Sequence, residues 1–230
     1  MTDTGIEAVG TNFSVAKILD VRRRTRVAVN TIASRIGVGT TENEAREIAS
    51  RTLTELGLRK GWHAIFIRLG ANSKEFDGPA SRDVPLGNND IFFVDIGPIY
   101  DGIEGDAGDT FVLGNDPDHL RIKTDVKEIW DELRDAWFER RLSGTALYEM
   151  ASSAARSRGW ELNLQLAGHR LSDFPHKALF DGALARVEQV PSPDLWVLEV
   201  AIVDPGRRFG AFYEDLLLAD QSFGNPELDI

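Results

Sequence analysis

The chain has 230 residues, 26 Lys and Arg against 37 Asp and Glu, a formal charge of −11, four His and no Cys. That length supports one domain with a sizeable core, and 42% hydrophobic residues, twelve Phe among them, exclude a disordered chain. A field of this sign repels phosphate backbones and anionic lipid, so neither nucleic acid nor membrane is an expected partner. Without Cys there is no disulfide framework and no thiolate, which leaves oxygen and imidazole to hold any metal.

Residues 1–14 lack the basic and apolar regions of a signal peptide, and no stretch approaches ~18 uninterrupted apolar residues. The expectation is a cytoplasmic protein forming a single domain over 1–230, with no separate N-terminal domain. Residues 13–36 carry apolar side chains at helical spacing, and the basic run Arg22-Arg23-Arg24-Thr25-Arg26 within them reads as a solvated helix face. A second helix starts at Thr41, whose hydroxyl and Glu44 three residues on form a capping box, and Gly57 ends it. Residues 63–69 read as a buried strand, with His63 in the core, followed by a polar loop over 72–89.

Residues 91–96 and 105–113 then form a hairpin about Asp101-Gly102. Helices are expected over 118–141 and 143–158, and a strand over 160–166. After the segment 168–176, a second hairpin pairs 195–203 with 209–219 about Pro205-Gly206. The order helix, helix, strand, hairpin thus occurs twice. Glu47-Ile-Ala-Ser50 matches Glu149-Met-Ala-Ser152 at an offset of 102, and Gly61-Trp62 matches Gly159-Trp160 at an offset of 98. Two related halves, joined through their sheets with helices on one side, give an α+β architecture with a pocket between the hairpins.

Four carboxylates occupy apolar surroundings. Asp95 interrupts Ile91-Phe-Phe-Val, and Glu199 lies inside Leu195-Trp-Val-Leu-Glu-Val-Ala-Ile-Val203. A buried ionised carboxylate costs several kcal/mol unless it is paired or binds metal. Glu199 and Glu214 are symmetric about the second turn, and Asp95 and Asp106 nearly so about the first. Like charges facing across a ladder are destabilising, so both pairs make sense with cations between them. With His169, these groups form a mostly oxygen shell for two divalent ions such as Mn, Fe, Co or Zn.

Val94-Asp95-Ile-Gly, Gly105-Asp106, Gly168-His169, Leu198-Glu199-Val and Phe212-Tyr-Glu214 together resemble the pita-bread metallopeptidases, the group of methionine aminopeptidases, Xaa-Pro aminopeptidases and prolidases. The likeness runs over nearly the whole chain, and the order Asp, Asp, His, Glu, Glu with Asp106 eleven residues after Asp95 is specific. It implies two pseudo-symmetric halves that form a curved antiparallel sheet with helices outside. It also implies a dinuclear site in which Asp95 holds one ion, His169 and Glu199 hold the other, and Asp106 and Glu214 bridge. A hydroxide between the ions would attack a carbonyl carbon while Glu199 shuttles protons. His176 falls where the family has a second His that contacts substrate.

Three positions depart from the family's pattern. Active members carry a further His about eighteen residues before the first Asp ligand, and here that residue is Asp77, which can only accept hydrogen bonds and suits an ammonium group. Asp109 stands where proline-directed members commonly have Arg. Arg170, in place of a small residue, is expected to narrow the cleft or contact an anion, so Asp77, Arg170 and His176 are the expected substrate contacts. The function implied is aminopeptidase-like hydrolysis of a C–N bond in a small peptide or amino-acid derivative, by a chain expected to form a homodimer. The alternatives are lyase-like or oxidative chemistry at the same site, or a metal-free binding protein.

Overall fold

A computed structural model describes residues 5–58, 60–79 and 83–218. Helix α1 (Val15–Arg35) starts at Ser14, whose side chain accepts from the Lys17 N–H. Helix α2 (Glu42–Glu55) opens with the Thr41–Glu44 capping box. Strands β1 (Lys60–Gly61), β2 (Phe66–Leu69), β3 (Asp90–Ile96), β4 (Pro98–Tyr100), β5 (Ile103–Glu104) and β6 (Ala107–Leu113) complete the first half. The second half repeats the plan with α3 (Pro117–Arg140), α4 (Gly144–Ser157), β7 (Glu161–Asn163), β8 (His169–Arg170), β9 (Trp196–Val203) and β10 (Gly210–Leu216). Among the described residues no helix is long and apolar enough to cross a membrane.

The main sheet is antiparallel in the order β2-β3-β6-β10-β9-β7, with β8 also paired to β9. The two halves meet where β6 pairs with β10. Alternation along each strand divides the side chains between two faces. Phe92, Val94 and Ile96 pack with the helix residues Val29, Ile32, Ala45 and Ala49 in one core. Leu198, Val200, Ile202, Ala211 and Tyr213 pack with α3 and α4 in a second. The opposite face carries Phe93, Phe212, Ala201 and Val203, and beside them the buried acids of β3, β9 and β10.

The duplication holds, but with one register. The caps Thr41 and Ser143 are 102 residues apart, as are Gly57 and Gly159, both at positive φ. The amides that close each helix follow the same spacing: Leu58 N donates to Leu53 O at 2.8 Å and Trp160 N to Ala155 O at 2.9 Å. Trp160 is therefore the counterpart of Leu58, and the match of Gly61-Trp62 to Gly159-Trp160 is coincidental. The physical reason is that both Leu58 and Trp160 bury an apolar side chain immediately after a helix, whereas Trp62 faces the other side of the sheet.

Several boundaries move. The strand expected over 63–69 begins only at Phe66, and that over 160–166 ends at Asn163. The first hairpin is not continuous: Asp101 (φ 49°) and Gly102 (φ 75°) make the expected tight turn, but β4 and β5 leave the main sheet to pair with each other, and β4 with β1. Residue 219, the expected end of the last strand, lies outside the described residues, as do 80–82 of the polar loop. The basic run is a solvated face only in part, at Arg23 and Arg24, which pair with Asp20. Arg22 is buried, its guanidinium bidentate on Asp215 at 2.7 and 2.6 Å, and Arg26 lies 3.7 Å from Asp109. Asp109 and Asp215 project from the helix side of the sheet, so α1 needs cations on its inner face.

Candidate metal centre

One row of residues crosses five strands: Phe66, Asp95, Gly108, Glu214 and Glu199 are successive ladder partners. Glu199 and Glu214 face one another as the hairpin arithmetic predicts. Asp95 does not face Asp106; it pairs with Gly108, because the turn is centred on Asp101-Gly102 and adds one residue to each side of the expected register. Asp106 arrives at the same face two residues before Gly108. Position 108 must be glycine, since a Cβ there would stand 2.5 Å from the Phe212 ring and 2.9 Å from Glu214 Oε1. The missing side chain is the space that the carboxylates of the two halves share.

His169 enters from β8. Its Nε2 is 2.8 Å from Asp106 Oδ2 and 3.9 Å from Glu199 Oε1, and its Nδ1 is 2.7 Å from the Arg170 carbonyl. The preceding amide, Gly168 N–H, donates to Glu199 Oε2 at 2.6 Å and so fixes that carboxylate. His63, expected in the core, lies instead in the loop between β1 and β2 with Nε2 3.3 Å from Asp106 Oδ1 and 3.6 Å from Asp95 Oδ1. The loop geometry explains the error: the strand begins three residues later, so alternation does not govern the direction of His63. His176 is buried, with Nδ1 2.5 Å from Glu104 Oε2 and its own amide donating to Glu104 Oε1 at 3.0 Å.

His63, Asp95, Asp106, His169, His176 and Glu199 line a cleft of about 600 Å³ whose apolar lining includes Phe66, Phe76, Leu164 and Leu166. Asp77 is exposed at its mouth, and its Oδ1 accepts from the Gly78 amide. Arg170 is not among the lining residues. Its side chain is buried on the other side, where Nη1 donates to the carbonyls of Ile6 and Ala8 at 2.7 Å each, so it anchors the N-terminal segment rather than contacting substrate. The alternation of β8 sends His169 and Arg170 to opposite sides. Asp109 likewise faces α1, away from the cleft.

Trp62 and Glu104 were not among the expected site residues. The Trp62 indole N–H donates to Gly105 O at 3.0 Å, and its ring meets His63, His169 and His176 edge-on at 4.4, 5.0 and 5.0 Å. The usable signal in the sequence was scarcity: of only four His, three face one cleft.

The model of metallopeptidase family M24 matches residues 16–221. The chain belongs to this family. No curated protein matches it. Among solved structures it is similar to the X-Pro aminopeptidase of Thermotoga maritima, at 18% identity and a TM-score of 0.70, over 92% of this chain and 62% of that one. The prolidase of Pyrococcus furiosus is 20% identical with a TM-score of 0.69, over 93% and 63%. The methionine aminopeptidase of Thermotoga maritima is 16% identical with a TM-score of 0.67, over 93% and 96%. The chain thus spans less than two thirds of the first two and nearly all of the third. At these identities the likeness establishes the fold, the curled antiparallel pita-bread sheet with helices on one side.

The electrostatics of these groups suit a bound cation. Burial, only partly offset by His63, pushes Asp95 up to about 7. Burial also works against ionised Asp106, but the flanking His63 and His169 hold it down at about 2. Against the effect of their own burial, Asp95 and Asp106 raise His63 to about 10, and Asp106 and Glu199 raise His169 to about 9. Burial raises Glu199 and puts Glu214 well above the ordinary carboxylate range.

Among the described residues, Glu214 keeps both oxygens, and Asp95 its Oδ1, buried without a hydrogen-bond partner. Its sequence neighbour Asp215, on the other face, is held below the usual range because Arg22 and Arg26 overcome the cost of burial. The chain therefore supplies Arg guanidinium groups to the buried acid on its helix side, whereas in the cleft the imidazoles of His63 and His169 lie against Asp106 and leave the Glu214 oxygens without a donor among the described residues. Two groups of donor atoms lie close enough to share an ion, His63–Asp95–Asp106 and Asp106–His169–Glu214, and Asp106 belongs to both. Oxygen and imidazole donors of this kind suit divalent first-row metals.

Proposed function

We propose that this chain is a dinuclear metal-dependent hydrolase that cleaves a C–N bond in a small peptide or amino-acid derivative, releasing an amine. The observation that carries the reading is the meeting of Asp95, Asp106, His169 and Glu199 at one cleft, with Glu214 beside Asp106 and His169, and with Asp95 and Glu214 oxygens that no donor among the described residues satisfies. Asp95 would hold one ion, His169 and Glu199 the other, with Asp106 and Glu214 shared between them. Two divalent ions bound there would polarise a carbonyl and make water acidic enough to attack it near neutral pH.

The remaining work falls to the chain's own residues. Glu199, with Oε2 tied to the Gly168 amide, has Oε1 left to take a proton from the attacking water and deliver it to the departing amine. Glu104 on Nδ1 of His176 leaves Nε2 of that ring to meet the substrate. The Trp62 ring shields the histidines from bulk water, and Asp77 at the mouth offers an acceptor to a substrate ammonium.

Elemental analysis of the purified chain beside Glu199→Ala tests the reading. About two transition-metal ions per chain, reduced in the variant, are expected. Amine release from a panel of dipeptides should then fall roughly 10²–10⁴-fold in Glu199→Gln, the usual worth of a general acid–base group. A chain that takes up neither Mn, Fe, Co nor Zn under anaerobic loading is not a metallohydrolase. Asp77 favours a second reading, non-peptidase chemistry at the same centre, because the cleft mouth has a carboxylate where the family resemblance calls for an imidazole. Two bound ions with no amine released from any peptide would select it.

A further inference from the structure

The ligand set that the sequence points to has five side chains, of which one is an imidazole. A sixth side chain stands at the same centre. Each half of the molecule brings three groups to it: His63, Asp95 and Asp106 from the first, and His169, Glu199 and Glu214 from the second. The two imidazoles approach the two oxygens of one carboxylate, His63 on Asp106 Oδ1 and His169 on Asp106 Oδ2.

Their local chemistry is also alike. In each ring Nδ1 lies 2.7 Å from the carbonyl of the following residue, Ala64 for His63 and Arg170 for His169. That contact places the ring proton on Nδ1 and leaves the Nε2 lone pair directed at the carboxylates, which is the tautomer a metal ligand needs. The separations agree. Donor atoms about 2.1 Å from one ion stand roughly 3.0–3.4 Å from each other, and His63 Nε2 is 3.3 Å from Asp106 and 3.6 Å from Asp95.

The loop that carries His63 is held in place. Trp62 N donates to Gly97 O at 2.9 Å, and the Trp62 indole N–H to Gly105 O at 3.0 Å. Gly97 is part of the arrangement, since a Cβ there would lie 2.1 Å from the His63 ring and 2.4 Å from the Trp62 indole nitrogen. A ring packed so tightly against the strand that carries Asp95 is a fixed part of the centre.

We infer that His63 is a ligand of the Asp95-side ion, so that this centre holds one imidazole per ion. The inference rests on the dinuclear reading above. It adds a chemical consequence: a nitrogen donor on both ions moves the site's preference toward Fe, Co and Zn and away from Mn, which favours all-oxygen shells.

Cobalt(II) is the probe. In the proton NMR spectrum of the cobalt-loaded chain, the Nδ1–H of each ligating imidazole appears as a strongly shifted, solvent-exchangeable line. Two such lines are expected, both kept in His176→Ala and one lost in His63→Ala and in His63→Gln. Calorimetric titration of His63→Gln with cobalt should show one of two sites weakened by at least the roughly 10–100-fold that losing even an outer-shell partner costs. Two cobalt ions bound with a single shifted line in the wild-type chain would overturn the inference and leave the hydrolase reading intact. Failure of the wild-type chain to bind cobalt at all would overturn both.

Discussion

Glu214 and Asp215 are adjacent residues on one strand, equally buried and opposite in their needs. Asp215 turns toward α1 and receives the Arg22 guanidinium, while Glu214 turns toward Asp95, Asp106 and Glu199 and receives no cationic partner among the described residues. An unpartnered buried acid is destabilising unless something else satisfies it. Removing the charge should therefore help the metal-free protein and harm the loaded one. In the presence of a chelator at pH 8, Glu214→Gln is expected to be more stable than wild type by about 1–3 kcal/mol in denaturant unfolding. On adding cobalt the wild type should gain melting temperature and the variant should not. A metal-free variant that melts lower would show that Glu214 has a protein partner after all.

At the scale of elements, the contact between α1 and the sheet is ionic as well as apolar. Arg22 and Arg26 reach down to Asp109 and Asp215, a pairing that links the first helix to the last strand and hence the two halves of the chain. Arg22→Ala leaves Asp215 buried with a weaker partner and is expected to cost about 3–5 kcal/mol near pH 7. The sign of its pH dependence follows from Asp215, whose folded-state pKa is depressed. The stabilisation is present above the unfolded carboxylate pKa of about 3.9 and is lost as pH falls through the folded value. Urea unfolding of wild type and variant at pH 7 and near pH 2.5 should show the gap narrowing. A constant gap would mean that Arg22 acts through the packing of its aliphatic stem.

At the scale of the whole molecule, the centre lies between the halves and draws equally on both, so its occupancy and the protein's stability are coupled. In the metal-free chain protons take the place of the ions: His63 and His169 are raised to about 10 and 9, and Asp95 to about 7. Each must give up a proton to become a donor, so metal binding releases protons and strengthens as pH rises from 6 to 8. Calorimetric titration with cobalt in two buffers of different ionisation enthalpy measures that release. Net uptake of protons, or an affinity indifferent to pH, would contradict the assignment of these groups to the ions.

The sequence by itself determined the helices, whose caps, periodicity and length are local properties. It also determined the pairing of Glu199 with Glu214, because a short turn fixes the register of a hairpin. It carried the duplication, since Thr41 and Ser143 begin equivalent helices for the same capping reason. Which faces met depended on long-range packing. Arg22 and Arg170 are buried by partners distant in sequence, Asp215 and the carbonyls of residues 6 and 8, which no periodicity in the chain announces. His63 joined the centre because strand β4 leaves the main sheet and pairs with β1, drawing the following loop over Asp95. Ligand identity on regular strands follows from alternation and is legible locally, whereas a ligand on a loop is placed by long-range pairing.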